Sequence, residues 1–452
     1  MKNNKKTIDM TEGSIVKGLI LFAIPLLLSS LIQQMYNTVD LLFVGNILGK
    51  ESAAAVGASS MLITCIIGFF SGLAVGTNVI LAKLFGNGDK EKLKEGVHTA
   101  IAIAIIGGVI LTIVGVCGAR FFLRVMNTPQ EIMTSALQYI RIYFISITSM
   151  LVYNMGSGII RAGGNSKIPM LIQFIGGLMN IAANTFFVYI LGLGIRGVAW
   201  ATFFSQTTAA VLIILYLIKE RSEFSLNIKE LSVNKEILSQ IALVGIPAGI
   251  QSLVISLSNV VAQTHINSLD VDSIAAFTTY FKVELLLYYP ILAMGQAIMT
   301  FTGQNIGAGK VNRVKNGTRV CILFGVLLTI ISSRLIMWNG DSLFKLFNSE
   351  DIVISKGIEI ISITFPFYFI YVILEVLSAS IRGSGKSILP MIIILSNICL
   401  LRVMLLYFIV PAMKSVKGVA VTYPITWAST AVFMTICYFY QMRQCKLQFK
   451  NV

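Results

Sequence analysis

Apolar runs of 18 or more residues recur from one end of this 452-residue chain to the other. That recurrence limits what the chain can fold into more than any other feature. At ~1.5 Å per residue, each run is long enough to cross a hydrocarbon core ~30 Å thick as a helix. Lipid offers no partner to a bare N–H or C=O, so a spanning segment must pair its own backbone. The spacing of the runs predicts twelve helices, near residues 15–44, 53–82, 97–119, 132–158, 168–191, 195–218, 237–264, 273–301, 317–338, 355–380, 388–411 and 416–441. Only 12% of the residues are charged, against about 25% in a soluble domain. The fold class is an all-α polytopic membrane protein. No A-x-A cleavage site follows the first run, which is therefore read as a retained helix rather than a signal peptide.

The net charge of +15 raises the question of nucleic acid, and its distribution answers no. With the N-terminus inside, alternate connecting segments hold 23 of the 35 Lys and Arg residues, and the opposite segments hold nine. Arg141, Lys282 and Arg402 fall within helices. This asymmetry is the positive-inside rule, and it places both termini in the cytoplasm.

The two halves of the chain match at a nearly constant offset. Pro25 in "FAIPLLLSS" falls on Pro247 in "VGIPAGIQS", and Asn37 on Asn259, each 222 residues apart. "LFGNGDKEKLKEG" matches "NIGAGKVNRVKNG", "IIRAGGNSKIPM" matches "SIRGSGKSILPM", and "IRGVAWAT" matches "VKGVAVTY", each at an offset of 221. One offset held across separated motifs indicates a duplication. Six helices per half give both halves one orientation, related by a pseudo-two-fold axis along the membrane normal. The expected division is an N-lobe of residues 1–219, a polar cytoplasmic linker over 220–236 and a C-lobe of residues 237–452. The repeat also disposes of Gly383-Ser384-Gly385-Lys386-Ser387, which looks like the end of a phosphate-binding loop. Ser380 stands where that motif needs glycine, and a membrane helix precedes it instead of a strand.

Between Gly18 and Leu48 the only charged residue is Asp40. An Asp at the centre of a membrane helix costs roughly 2.5–3.5 kcal/mol on insertion scales, so a gain elsewhere is expected. Gln33, Asn37 and Asp40, spaced by four and three, share a helix face. Asn180 and Asn184 share a face of helix 5, and Thr202 adds a hydroxyl from helix 6. Amide and hydroxyl oxygens around one carboxylate can hold a hard cation or bond a protonated acid, although polar side chains also bridge membrane helices structurally. In the second half Ser252, Ser256, Asn259 and Gln263 form a polar stripe, but the position matching Asp40 is Ala262, so ion binding is expected in the N-lobe alone. Glu284 in helix 8 and Glu375 in helix 10 lie in apolar surroundings, Glu375 on a face with Tyr368, Tyr371 and Ser378. Two readings stand for these acids: attraction of an organic cation, or structural pairing with Arg141 or Arg402. The aromatic residues and 18 methionines suit an adaptable apolar cavity.

Other chemistries find little support. The six cysteines show no CxxC pair and read as reduced structural thiols; His98 and His265 stand in separate helices, and no structural metal site is expected. There is no HExxH, no GxSxG and no clustered histidine, so an enzyme is not indicated.

"IPLLLSSLIQQMYNTVDLLFVG", "IIRAGGNSKIPM", "GVAWAT", "GQNIGAGK" and "IRGSGKSILPM", set within twelve helices as two six-helix repeats, resemble the multidrug and toxin extrusion (MATE) family, in particular its DinF-like and related bacterial branches. The resemblance spans roughly residues 12–441. It implies a V-shaped two-lobe transporter of the bacterial cytoplasmic membrane, exporting small organic, often cationic and amphipathic, compounds in exchange for H+ or Na+ by alternating access. No cofactor is implied beyond the coupling ion, and a monomer is expected. Asp40, Asn180 and Thr202 match the ion-site positions of that branch, with Asn37 beside them, while Asn184 stands where the family commonly has a second Asp. The acid pair of the NorM-like branch falls on Ile255 and Tyr371. Gln33, Tyr36, Asn259, Gln263, Glu284, Glu375 and Tyr371 are the residues expected to line the substrate cavity, with Na+ at Asp40 the one metal ion in view. The alternative function is a flippase of lipid-linked saccharides, a related architecture that calls for more basic residues within its helices than these three.

Overall fold

In the computed structural model, residues 8–448 are described, apart from the side chains of residues 41, 42, 46, 50, 61 and 448. Lys2, Lys5, Lys6 and Lys450 of the charge asymmetry lie outside the described residues. The described chain is helical, with no strand, and holds twelve helices long and apolar enough to cross a membrane. They are α1 (Ile15–Gly45), α2 (Glu51–Asn87), α3 (Lys90–Val125), α4 (Gln130–Ala162), α5 (Lys167–Ile190), α6 (Ile195–Lys219), α7 (Lys235–Asn267), α8 (Val271–Gly307), α9 (Val311–Trp338), α10 (Asp351–Gly383), α11 (Ile388–Met413) and α12 (Val416–Leu447). Several begin well before the apolar residues do. α3 starts seven residues early because Asp89 caps it, accepting from Lys92 N at 3.0 Å. A cap and a run of good helix formers carry a helix into water that hydropathy alone would end at the bilayer.

α5 and α11, which correspond in the repeat, each contain a π-helical stretch, Thr185–Ile190 and Leu395–Leu401. The wider turn follows Asn184 in one repeat and precedes Arg402 in the other. Such turns occur frequently at functional sites.

Two compact units emerge from the packing. The first holds Ile24–Ile246 with residues 8 and 9; the second holds Met10–Ala23 and the residues from Pro247 onward. The division falls inside α1 and α7, at or next to their interior prolines, Pro25 and Pro247. A proline removes one backbone hydrogen bond and crowds the preceding turn, which is where a helix can change direction.

Close packing anchors the first part of α7 within the first unit. A Cβ at Gly76 of α2 would stand 2.4 Å from Ile241 O and 2.9 Å from Gly245 N. The two backbones approach so tightly that no side chain fits at this crossing. The polar residues ahead of α7 are fastened to the start of α3: His98 Nε2 accepts from Asn227 N at 3.1 Å and Thr99 Oγ1 from Asn234 N at 3.0 Å. Buried His98 therefore serves packing.

In the second unit the chain before α1 is held by the α8–α9 turn, whose sequence is "GQNIGAGK". Gln304 Oε1 accepts from Met10 N at 2.9 Å, and Asn305 Nδ2 donates to Met10 O at 3.0 Å. Lys310 donates to Thr11 O, and Arg313 to Glu12 O and Gly13 O. Four polar side chains thus bond a backbone that has no helix of its own. None of the six cysteines forms a disulfide; Cys117 is exposed, and the other five are buried or partly buried.

Asp270 joins α8 to α10 outside the membrane. Lys356 and the Ser273 N–H donate to its carboxylate, and these bonds, Lys356's first, bring its pKa from 3.8 down to about 2. A depressed carboxylate contributes stability that is present above its ordinary value and lost as pH falls through the folded one. Asp270→Asn should therefore lower the thermal unfolding midpoint slightly at pH 7. The difference should persist at pH 5 and vanish between about pH 4 and pH 2. A difference that held at pH 2 would exclude the charge as its origin.

Candidate functional site

In the first unit, α1 meets α5 along a polar seam. α5 presents Gln173, Gly177, Asn180 and Asn184 at steps of four, three and four, one continuous face of a helix. Gly177 leaves room for the Tyr36 ring, and the Tyr36 hydroxyl accepts from Gln173 Nε2 at 3.4 Å. One turn further, Asn184 Nδ2 donates both to Asp40 Oδ1 at 2.5 Å and to Asn180 Oδ1 at 3.2 Å. Asn184 and Asn180 are buried, at 0% and 1% exposure, while Asp40 is half-buried. Among the described residues no lysine or arginine pairs with Asp40. Asn184 Oδ1 is buried with no partner. A carboxylate, two amides and one unused carbonyl oxygen thus converge on a small, base-free volume. The oxygens suit a hard cation, and the unused one suits the O–H of a protonated acid.

The structure brings together Asp40, Asn180 and Asn184, with Tyr36 adjoining. Asn37 and Gln33 are exposed on α1. Thr202 bonds its own helix at Val198 O, 3.1 Å away, which occupies its donor. Gln173, Tyr139 and Tyr143 were not singled out from the sequence. The two tyrosines of α4 pack against one another, 6.1 Å between ring centroids. Their spacing of four was a readable signal, but one of the same helix face only and not of the helix it would meet.

In the second unit the polar stripe of α7 is used locally. Ser252 and Ser256 bond backbone carbonyls of their own helix, and Gln263 Nε2 donates to Asn267 Oδ1 at 2.8 Å. Asn259 is exposed and Ala262 buried. The acids are further developed. Glu375 Oε1 pairs with Arg382 Nη2 at 3.0 Å, which corrects the expected partners Arg141 and Arg402. Arg382 lies seven residues on, nearly two helical turns, and so on the same face of α10, reaching back from the basic turn. Gly295 of α8 makes this possible, since a Cβ there would lie 2.7 Å from Glu375 Oε1.

Glu284 sits in an aromatic box. Tyr280 and Tyr368 donate to its Oε1 at 3.1 and 2.8 Å. Tyr371 lies 5.7 Å from Tyr368, 5.9 Å from Tyr288 and 5.6 Å from Trp427, between ring centroids. Glu284, Tyr288 and Tyr371 are half-buried, whereas Tyr280, Tyr368 and Trp427 are at most 2% exposed. Lys282 points elsewhere, 5.3 Å from the Phe347 ring.

Comparison with known proteins agrees with this architecture. The MatE family model matches twice, over residues 25–186 and 247–408, at the repeat offset read from the sequence. The chain is 28% identical over 440 residues to the probable multidrug resistance protein YoeA of Bacillus subtilis, covering 95% of this chain and 94% of that one. It is 26% identical to the probable multidrug resistance protein YpnP of the same organism, covering 88% and 89%. A solved structure described as the outward-facing conformation of a multidrug resistance MATE family transporter has the same fold, with a TM-score of 0.91 at 24% identity over 99% of this chain and 100% of that one. Twelve spans in two matching repeats, both recognised by one family model, place the chain in the multidrug and toxin extrusion family of membrane transporters.

Proposed function

We propose that this protein is a secondary active exporter of small organic compounds, coupled to the inward movement of H+ or Na+ through Asp40. The observation that carries the reading is the base-free carboxylate of α1, bonded to Asn184, whose own oxygen is left unused. A membrane carboxylate without a counter-charge is costly unless it takes a cation from solution. Na+ would be held by Asp40 with the carbonyl oxygens of Asn180 and Asn184. H+ would make Asp40 a donor, and turning the Asn184 amide over would present its unused oxygen to that proton.

Either ion removes the charge that fixes α1 against α5. Pro25 gives α1 a place to bend in response. A ligand shifts a conformational equilibrium only by its differential affinity for the two states. The ion therefore favours the state that releases the organic compound outside, and its loss to the cytoplasm resets the cycle. The charge asymmetry supports an orientation with both termini cytoplasmic, and the Bacillus relatives support a bacterial cytoplasmic membrane. The names of those relatives support organic compounds over lipid-linked saccharides. So does the commitment of Arg382 to Glu375, which leaves few free cations for a diphosphate.

Counterflow tests the export reading without assuming the ion. Vesicles loaded with an unlabelled amphipathic organic cation should accumulate the labelled compound transiently, saturably and only with protein present. Absence of exchange for organic compounds, with movement of a fluorescent lipid-linked saccharide instead, would replace the reading by the flippase.

A further inference from the structure

Arg402 of α11 is 4% exposed, deep in the second unit, and its guanidinium lies 4.5 Å over the Tyr423 ring. Its one side-chain hydrogen bond runs from Nη2 to Thr426 Oγ1 at 3.4 Å, and its Nε is buried with no partner. Arg382 pairs directly with an acid, Glu375, whereas among the described residues Arg402 forms no ion pair. Arg402 and Glu284 are instead connected by a chain of packed rings. Tyr368, bonded to Glu284, meets Trp427 edge-on at 4.8 Å, and Trp427 meets Tyr423 at 5.9 Å. The acid and the base are thus coupled but held apart. The π-helical stretch ending at Leu401 sets Arg402 in this position.

The open side of the cluster is Glu284 with Tyr288 and Tyr371. A half-buried carboxylate inside a span cannot face hydrocarbon, so this side faces a polar cavity. A ligand there meets tyrosine faces and edges and one carboxylate whose field is cancelled from behind.

We propose that Arg402 is a specificity-determining residue that acts at a distance: a tethered cation that neutralises the Glu284 box and sets which ligand charge the second unit accepts. The inference rests on the export reading insofar as Glu284 faces the path of an organic compound. With Arg402 in place the buried charges of the unit balance, Glu284 and Glu375 against Arg382 and Arg402. Selection then falls to the aromatic surface, and amphiphiles that are singly cationic or zwitterionic are accepted alike. Multiply charged cations gain nothing in return for their dehydration. Removing Arg402 converts the box into a cation-selective site.

A rhodamine free acid, a zwitterion, and its methyl ester, a monocation, share one ring system and differ in net charge. Their affinities for the purified protein in detergent, read by fluorescence anisotropy, give an ester-to-acid ratio. The wild type should hold that ratio within about threefold of unity. Arg402→Gln should raise it about tenfold, the order of effect of one uncompensated unit charge at an effective dielectric near 20. Arg402→Lys keeps the charge and should keep the ratio. Glu284→Gln should lower the ratio, and Glu284→Gln/Arg402→Gln should restore it. The double variant buries no unpaired charge from this pair, so it and Glu284→Gln carry the test if Arg402→Gln does not fold. An unchanged ratio in Arg402→Gln, or an equal shift in Arg402→Lys, overturns the proposal. So does a double variant that fails to return. The expected binding ratios in a protein that carries no dye across vesicles would overturn the export reading and leave the role of Arg402 standing.

Discussion

Asp40→Asn should leave a folded protein that still binds organic compounds but no longer exports them against a gradient. Asparagine has nearly the shape of the protonated acid, and it can both donate to and accept from Asn184, so the α1–α5 seam is retained. What disappears is the ability to carry charge in one state and not in the other. An ion with equal affinity for both conformations shifts nothing, however steep its gradient. Gradient-driven export should therefore fall by roughly two orders of magnitude, to the level of leak, because the population shift supplied by the ion is gone. Counterflow, which needs no net coupling, should fall much less. Asp40→Ala should lose both, since it also removes the bond to Asn184. The measurement is initial rate in vesicles, with and without an imposed gradient. Equal loss of counterflow and gradient-driven export in Asp40→Asn would reassign Asp40 to structure.

Arg382→Met should be the most destabilising single replacement among the polar residues of the second unit. It leaves Glu375 charged, buried and pressed against the bare backbone of Gly295, where a Cβ would already lie 2.7 Å from its oxygen. There is little room for a water to take the place of the guanidinium. Removing one partner of a buried pair costs about 3–5 kcal/mol, whereas replacing both by groups of similar volume is often neutral. Arg382→Met/Glu375→Gln should accordingly recover most of the unfolding midpoint in detergent lost by Arg382→Met. Such recovery marks Glu375 as a structural acid, unlike Glu284, and removes it from the substrate-facing set. If Arg382→Met instead kept its midpoint and changed only ligand affinity, Glu375 would return to that set.

The contrast between these two acids shows where the sequence stops being readable. Twelve spans and their duplication are legible because the bilayer forces each crossing into one long apolar helix, and a constant offset survives divergence. The seam of Asp40, Asn180 and Asn184 is legible too, since helical spacing puts residues three or four apart on one face. Helix ends are less so: α3 and α9 begin in polar, lysine-bearing turns that hydropathy alone would leave out, and at α3 the Asp89 cap fixes the start. Partners across helices are the least legible. Thr202 is an ion-ligand candidate by type and position, and only the fold shows that its hydroxyl proton goes to the carbonyl four residues back, which leaves its oxygen lone pairs as the part an ion could use. Arg382 belongs to a motif in a basic turn, and only the fold shows its side chain running back along α10 to Glu375. Nothing in the spacing of Arg402 connects it to Tyr423 or Glu284, which come from two other helices.

The central claim, that Asp40 couples an ion to export, is tested most directly by uptake of a fluorescent organic cation into inside-out vesicles. The wild type and Asp40→Asn are compared under a pH gradient alone and then a sodium gradient alone. The account predicts that one of the two gradients drives uptake in the wild type and that neither does so in the mutant. Uptake that ignores both gradients, or that Asp40→Asn performs as well as the wild type, would contradict it.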